Sequence, residues 1–119
     1  MVPGAMTKIS FKKVWNDLIN VLDQEKVINT LARRRTNEIT DIDNEGIWVM
    51  TERSSPNSVL VPKWMFETAI THLIEHSNLS NNTLLHELNV KRSSFVMAAL
   101  SKLEYIGYET NPLRIFLIN

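Results

Sequence analysis

Near its N-terminus the chain carries apolar residues at helical spacing. They recur every three or four positions, at Phe11, Val14, Trp15, Leu18, Ile19 and Leu22. This spacing predicts a half-buried helix that ends near Asp23, and Ser10 is suited to cap its first turn.

The following region changes to a strand-like pattern. Residues 37–43 and 47–52 are rich in β-branched residues, and Asn44-Glu45-Gly46 between them are typical turn formers. We expect these two runs to form a β-hairpin. Residues 27–32, which precede the arginine run 33–35, are ambiguous in secondary structure.

A break at residues 54–58, Ser-Ser-Pro-Asn-Ser, divides the pattern. Such a cluster of turn-forming residues favours a boundary between two subdomains, residues 7–57 and residues 58–119. Beyond it, Pro62 suits the first position of a second helix, which should stop near His76. The apolar stripe of this helix is Met65, Phe66, Ala69, Ile70, Leu73 and Ile74.

The remaining pattern predicts two further helices and a second hairpin. Ser80 or Asn81 should cap a short third helix, whose inward-facing residues are Leu84, Leu85 and Leu88. A fourth helix is expected over residues 93–105, with Gly107 ending it. Residues 108–118 then resemble a hairpin around a proline. The predicted fold class is α+β, with an N-terminal helix and hairpin packed on a largely helical C-terminal unit.

Composition narrows the possible functions. Hydrophobic residues make up 44% of the 119 positions and charged residues 22%, which is ordinary for a globular protein. Thirteen basic and thirteen acidic side chains cancel, whereas nonspecific nucleic-acid binders are usually basic. The overall charge therefore argues against tight autonomous DNA binding, although it permits local basic patches.

The expected environment is a reducing one. The chain has no cysteine, which excludes disulfides, thiol catalysis and cysteine-ligated zinc and favours the cytoplasm. No stretch approaches the roughly 20 apolar residues of a membrane helix, so no membrane partner is expected. Residues 1–6 do not resemble a secretory signal, and we expect them to be a cloning remnant or disordered.

Two segments resemble metal sites. His72-Leu-Ile-Glu-His76 matches the inverted zinc-peptidase helix, and His86 is the only histidine left to complete a site. Because both histidines border an apolar helix stripe, packing is the preferred interpretation. Residues 41–52 match a calcium-loop spacing, but the alternation within 47–52 favours a hairpin. We therefore expect no metal, no other cofactor and no catalytic residue.

Residues 79–108 carry the main functional indication. Several features follow one another in a fixed order along this segment. They are leucines at 79, 84, 85 and 88, the turn Asn89-Val90, the basic helix start Lys91-Arg92-Ser93-Ser94, then Leu103-Glu104 and Gly107-Tyr108. Over residues 59–119 this order resembles the winged helix-turn-helix of bacterial transcription regulators. The resemblance implies duplex-DNA binding through the first turn of the fourth predicted helix.

The implied contacts come from several polar and basic side chains. Helix N-termini and basic side chains bind phosphate, and short polar side chains reach base edges. The candidate DNA-binding residues are Lys91, Arg92, Ser93, Ser94, Asn81, Asn82, Arg114 in the wing, and Arg33, Arg34 and Arg35.

The sequence departs from the family pattern after Ser94. Positions 95–99 are Phe-Val-Met-Ala-Ala, where exposed polar residues are usual, and one extra residue follows Arg92. An alternative is therefore a winged scaffold used for protein interaction or dimerisation. A small metal-binding protein is a third interpretation.

A second resemblance covers most of residues 10–119. It is carried by four segments: Asn37-Glu-Ile39, Gly46-Ile-Trp-Val-Met-Thr-Glu52, Val61-Pro-Lys-Trp-Met65 and residues 88–95. Together they are similar to accessory domains of bacterial restriction endonucleases. This implies a non-catalytic target-recognition domain of a larger restriction or regulatory protein. The expected partners are double-stranded DNA, a nuclease or effector domain of the same parent protein, and a second copy in a homodimer.

Overall fold

The structure is a computed structural model that describes residues 9–118, so the expectation for residues 1–6 lies outside it. Its first element is α1 (Phe11–Gln24). The Ser10 hydroxyl accepts a hydrogen bond from the Lys13 N–H at 3.2 Å, which satisfies one of the unpaired donors of the first turn. The predicted helix and its cap are confirmed.

Four antiparallel strands form the first sheet, in the order β1-β2-β3-β4. They are β1 (Val27–Asn29), β2 (Thr36–Asp43), β3 (Gly46–Thr51) and β4 (Val59–Pro62). The predicted hairpin is β2–β3, and the ambiguous segment 27–32 contributes β1. Strand β4, beyond the break at 54–58, pairs with β3, so the first sheet includes residues from both sides of that break.

A glycine is required at the β2–β3 turn. Gly46 has φ +147°, and a Cβ atom there would lie 2.2 Å from the carbonyl oxygen of Val61 on β4. The Asp43 carboxylate accepts hydrogen bonds from the N–H groups of Glu45 and Gly46, at 2.8 and 3.3 Å. The turn is therefore fixed by both conformation and side-chain hydrogen bonding.

The C-terminal part contains two α-helices, a π-helical segment and a second antiparallel sheet. In chain order these are α2 (Lys63–His76), β5 (Asn78–Ser80), the π-helical segment Thr83–Glu87, α3 (Ser93–Leu100), β6 (Ile106–Thr110) and β7 (Leu113–Leu117). The sheet order is β5-β7-β6. The second helix and the terminal hairpin were predicted, whereas the three-residue strand β5 was not.

The end of α3 differs from the prediction. The helix stops at Leu100, and the next residues form tight turns in which Leu103 N–H donates to the Leu100 carbonyl. Gly107 lies in β6 and does not end a helix, so that expectation was wrong. The Phe116 ring covers the glycine: a Cβ atom there would lie 2.6 Å from Phe116 Cε1, so a larger residue would displace the ring.

One hydrophobic core joins the helices to both sheets. The Trp15 ring packs edge-on against Phe66, which packs edge-on against Phe95, so α1, α2 and α3 share one aromatic contact chain. Trp64 is 48% exposed, because the buried face of α2 begins at Met65. The described chain is therefore an α+β fold, as predicted. Within residues 9–118, no helix has the length and apolar character needed to cross a membrane.

Candidate nucleic-acid interface

A groove of about 1400 Å³ lies where the loops of the first sheet face the start of α3. Its lining includes residues from three stretches of the chain, 30–38, 50–59 and 81–95. We call it the cationic groove, after the six basic residues in its lining. They are Arg33, Arg34, Arg35, Arg53, Lys91 and Arg92.

The groove concentrates charge in a molecule that is neutral overall. It is lined by six of the thirteen basic residues but by only two of the thirteen carboxylates, Glu38 and Glu52. Its lining therefore has a formal excess of four positive charges, which the rest of the chain balances. No ion pair within 4.0 Å among residues 9–118 includes any of the six cations. Like charges held together without such partners create a positive potential that attracts polyanions.

The three consecutive arginines sit on a turn closed by Thr30. The Thr30 N–H donates to the Arg35 carbonyl at 2.9 Å, and the Arg34 N–H donates to the Thr30 carbonyl at 3.0 Å. The Thr30 hydroxyl accepts from the Arg35 N–H at 2.9 Å. Arg34 has a left-handed backbone, with φ +57°. We call residues 30–35 the arginine turn; its backbone is held by hydrogen bonds, while its arginine side chains are exposed.

Arg53 was missed by the sequence analysis. It lies in the loop between β3 and β4, which Ser54 organises by accepting from the Thr51 N–H at 2.8 Å and donating its own N–H to the Thr51 hydroxyl at 3.2 Å. The predicted hairpin could have revealed it. Asn37 pairs with Thr51, so a residue two positions beyond Thr51 falls at the same end of the sheet as Arg35.

The two basic residues before α3 lie in different surroundings. Lys91 is exposed, whereas Arg92 is half-buried and its Nη2 donates to the Asn37 side-chain oxygen at 3.5 Å. Asn37, 4% exposed, donates its amide to the Arg35 carbonyl at 3.3 Å. Asn37 therefore links the start of α3 to the arginine turn. Burial lowers the pKa of Arg92, yet an arginine keeps its proton in proteins.

The other predicted residues near α3 differ in their exposure and in whether they line the groove. Ser94 is exposed and lines the groove, but Ser93 is only 2% exposed and its hydroxyl is not presented to a ligand. Asn81 lines the groove, and its buried Oδ1 has no hydrogen-bond partner among the described residues. Asn82 is exposed but lies outside the groove lining. Helical spacing alone could not separate these cases.

Arg114, the predicted contact of the wing, does not line the groove. It lies on β7 opposite Glu109 of β6, and its Nε donates to that carboxylate. The guanidinium also stacks on the Phe116 ring, 4.9 Å from its centroid. The charge of Arg114 is thus already engaged within the hairpin.

The metal-like motifs have other local explanations. His72 and His76 lie with ring centroids 4.3 Å apart, and partial burial, followed by the neighbouring His76, lowers the pKa of His72. In the segment that matches a calcium loop, the Asp43 carboxylate accepts a hydrogen bond from the Trp48 indole N–H at 2.9 Å, in addition to those from the turn. Within residues 9–118, no three or more histidine, cysteine, aspartate or glutamate side chains are placed to hold a metal ion.

Comparison of the chain with protein-family models, with curated proteins and with solved structures finds no significant match. The most distinctive chemical feature of the described residues is the cationic groove. Seven of the ten predicted DNA-binding residues line it, namely Arg33, Arg34, Arg35, Asn81, Lys91, Arg92 and Ser94. Arg53, which was not predicted, lines it as well.

Proposed function

We propose that this chain is a non-catalytic domain that binds duplex DNA through the cationic groove. The observation that carries the proposal is the convergence of six cations, from three separate stretches of sequence, without an ion pair to any carboxylate of the described residues. Arginine and lysine at this density suit the phosphate backbone, whose neutralisation releases counterions and supplies most of the affinity for DNA.

The arrangement of the C-terminal half supports a winged helix-turn-helix over residues 58–119 as part of this proposal. A helix, a short capped segment, a second helical segment, a third helix and a hairpin follow in the order on which the resemblance rests. The cap is Ser80, whose hydroxyl accepts from the Thr83 N–H at 3.1 Å. This arrangement places Lys91 and Ser94 at the exposed start of α3, next to the arginine turn.

Duplex DNA fits the groove better than single-stranded nucleic acid does. Proteins that bind single strands provide exposed aromatic side chains on which unpaired bases stack. The only aromatic residue of this groove's lining, among the residues that the structure describes, is Phe95, which is 2% exposed. The groove therefore offers charge for a backbone but no stacking surface for bases.

The domain would serve a larger protein. The similarity to accessory domains of restriction endonucleases supports a role in bringing a nuclease or effector domain of the same parent protein to DNA. In this proposal the chemistry lies in that other domain, and the present chain supplies affinity for the duplex.

The proposal is tested with two lysine substitutions that change the net charge equally. Lys91 lies in the groove, whereas Lys12 is exposed on α1 outside its lining. Fluorescence anisotropy with a mixed-sequence duplex should show that Lys91→Glu weakens binding at least about tenfold, because a charge-assisted contact worth 1.5–3 kcal/mol becomes a repulsion.

Lys12→Glu should leave the dissociation constant within about twofold, and both variants should keep a thermal midpoint near that of the parent chain, as exposed substitutions usually do. Equal losses in the two variants would show that only net charge matters and would refute the groove as the binding site. No measurable binding of the parent chain to any duplex would refute the function.

A further inference from the structure

The helix that begins at the cationic groove offers almost nothing to a DNA base. Seven of the eight residues of α3 are buried, and Ser94 is the only exposed one. Helices that read the major groove present three or four side chains to base edges. Bidentate hydrogen bonds from such side chains are what distinguish one base pair from another.

The burial of α3 is a structural requirement. Phe95, Val96, Met97 and Leu100 are each at most 2% exposed and belong to the common core. Phe95 packs edge-on against Phe66 of α2, with ring centroids 6.3 Å apart. Rotating α3 to expose another face would remove these contacts. The helix is therefore held as a core element, and its base-reading capacity is limited to its first turn.

The charge of the groove suits a sugar–phosphate backbone. Its lining carries six cations and two carboxylates around a volume of about 1400 Å³. Its cations come from both halves of the chain and line this space, and each strand of a duplex carries one phosphate charge per about 3.4 Å of helix axis. Contacts of this type fix position on DNA but carry no sequence information.

We infer that the domain binds duplex DNA by its phosphate backbone, without preference for base sequence. This inference rests on the proposed function and narrows it. The domain supplies sequence-independent affinity, whereas the resemblance to accessory domains implied target recognition. Any choice of target site would then come from another part of the parent protein.

The test uses the full chain and several duplexes of equal length, one rich in A·T, one rich in G·C and one mixed, at one fixed salt concentration. We expect dissociation constants within about threefold, since specific recognition would weaken binding by about 5- to 150-fold for each wrong base pair. Selection from a randomised duplex library should enrich no motif. Ser94→Ala should change the affinities for the three duplexes by the same factor.

An enriched motif that is lost in Ser94→Ala would overturn the inference while leaving the proposed function intact. Tighter binding to a single strand of the same length would also overturn it, because the backbone of a duplex would no longer be the ligand. Absence of binding to all duplexes would remove both proposals.

Discussion

The cationic groove and the C-terminal hairpin both carry arginines that the sequence marked for DNA contact, but they hold them differently. In the groove, five arginines and one lysine face a common space with no ion-pair partner within 4.0 Å among the described residues. In the hairpin, Arg114 is paired with Glu109 and stacked on Phe116. The same side chain is available for binding in one place and is engaged in packing in the other.

This difference shows that the surroundings of a charge, more than its presence, decide what it can bind. A guanidinium already paired with a carboxylate must lose that partner before it can bind phosphate, which offsets the gain. Arginines on a turn whose backbone is fixed in advance lose less conformational entropy on binding. The arginine turn meets this second condition, since Thr30 holds its backbone through three hydrogen bonds.

The largest expected effect on DNA affinity comes from removing the three arginine side chains of the arginine turn. Replacing Arg33, Arg34 and Arg35 together by alanine should weaken duplex binding by about 100-fold or more, since each phosphate contact contributes at least ~1 kcal/mol. The slope of log affinity against log salt concentration should become less negative by up to about three.

Arg114→Ala is the matched control for the hairpin and should change the affinity less than about threefold, because its charge is already paired with Glu109. Anisotropy titrations at two salt concentrations measure both variants. A loss for Arg114→Ala comparable to that per residue of the arginine turn would erase the distinction between the two regions.

A smaller effect, on stability, is expected at Asn37, which links the two sides of the groove. Asn37→Ala removes the acceptor of Arg92 and the donor to the Arg35 carbonyl, so it should lower the free energy of unfolding by about 1–3 kcal/mol. Urea denaturation measures this change. Asn16→Ala, at an exposed position of α1, is the control and should stay within about 0.5 kcal/mol. Equal stability of both variants would mean that Asn37 does not connect the two sides.

A variant at Tyr105, which is outside the groove lining, should change stability without changing DNA binding. Tyr105, just before β6, donates a 2.6 Å hydrogen bond to the Asp17 carboxylate of α1. This hydrogen bond, followed by that from Lys13, lowers the pKa of Asp17 below 3.8. Tyr105→Phe should lower stability near neutral pH by about 1 kcal/mol and leave duplex affinity unchanged.

The pH dependence of this variant follows from the lowered pKa of Asp17. The stabilisation is present above the unfolded value of 3.8 and is lost as pH falls through the lower folded value. The stability difference between the parent chain and Tyr105→Phe should therefore shrink in acid, as thermal unfolding at several pH values can measure. A difference that stays constant down to acid pH would show that the carboxylate of Asp17 is not the source.

The smallest expected effect is that of pH on binding. No histidine is among the residues that line the groove, and arginines stay protonated. Duplex affinity should therefore change less than about twofold between roughly pH 6 and pH 8, the range in which histidine titrates. A steep loss as pH rises through this range would assign binding to His72, His76 or His86 instead.

Much of the fold could be predicted because local patterns determined it. The Ser10 cap, the turn at Asn44-Glu45 and the apolar stripe of α2 each depend on residues close in sequence, and each was found where predicted. The errors occur where tertiary contacts decide. Gly107 lies under the Phe116 ring rather than at a helix end.

The candidate site was predictable only in part, for the same reason. Lys91, Ser94 and the arginine run were chosen on chemistry, and the structure brings them to one groove. Ser93 is buried because of how α3 packs, and Arg114 is paired because of the β6–β7 register. Spacing along the chain determines neither. Arg53 could be identified only from the pairing register of the β2–β3 hairpin. The hairpin itself was predicted, but its register was not.

The salt dependence of binding tests the central claim most directly. Anisotropy titrations of the parent chain with a mixed-sequence duplex, from about 50 to 200 mM salt, give the slope of log affinity against log salt concentration. Contacts from most of the six groove cations predict a slope between about −3 and −5, at roughly −0.9 per phosphate. Binding with a slope near zero, or no binding at the lowest salt concentration, would contradict the claim that the groove holds the backbone of DNA.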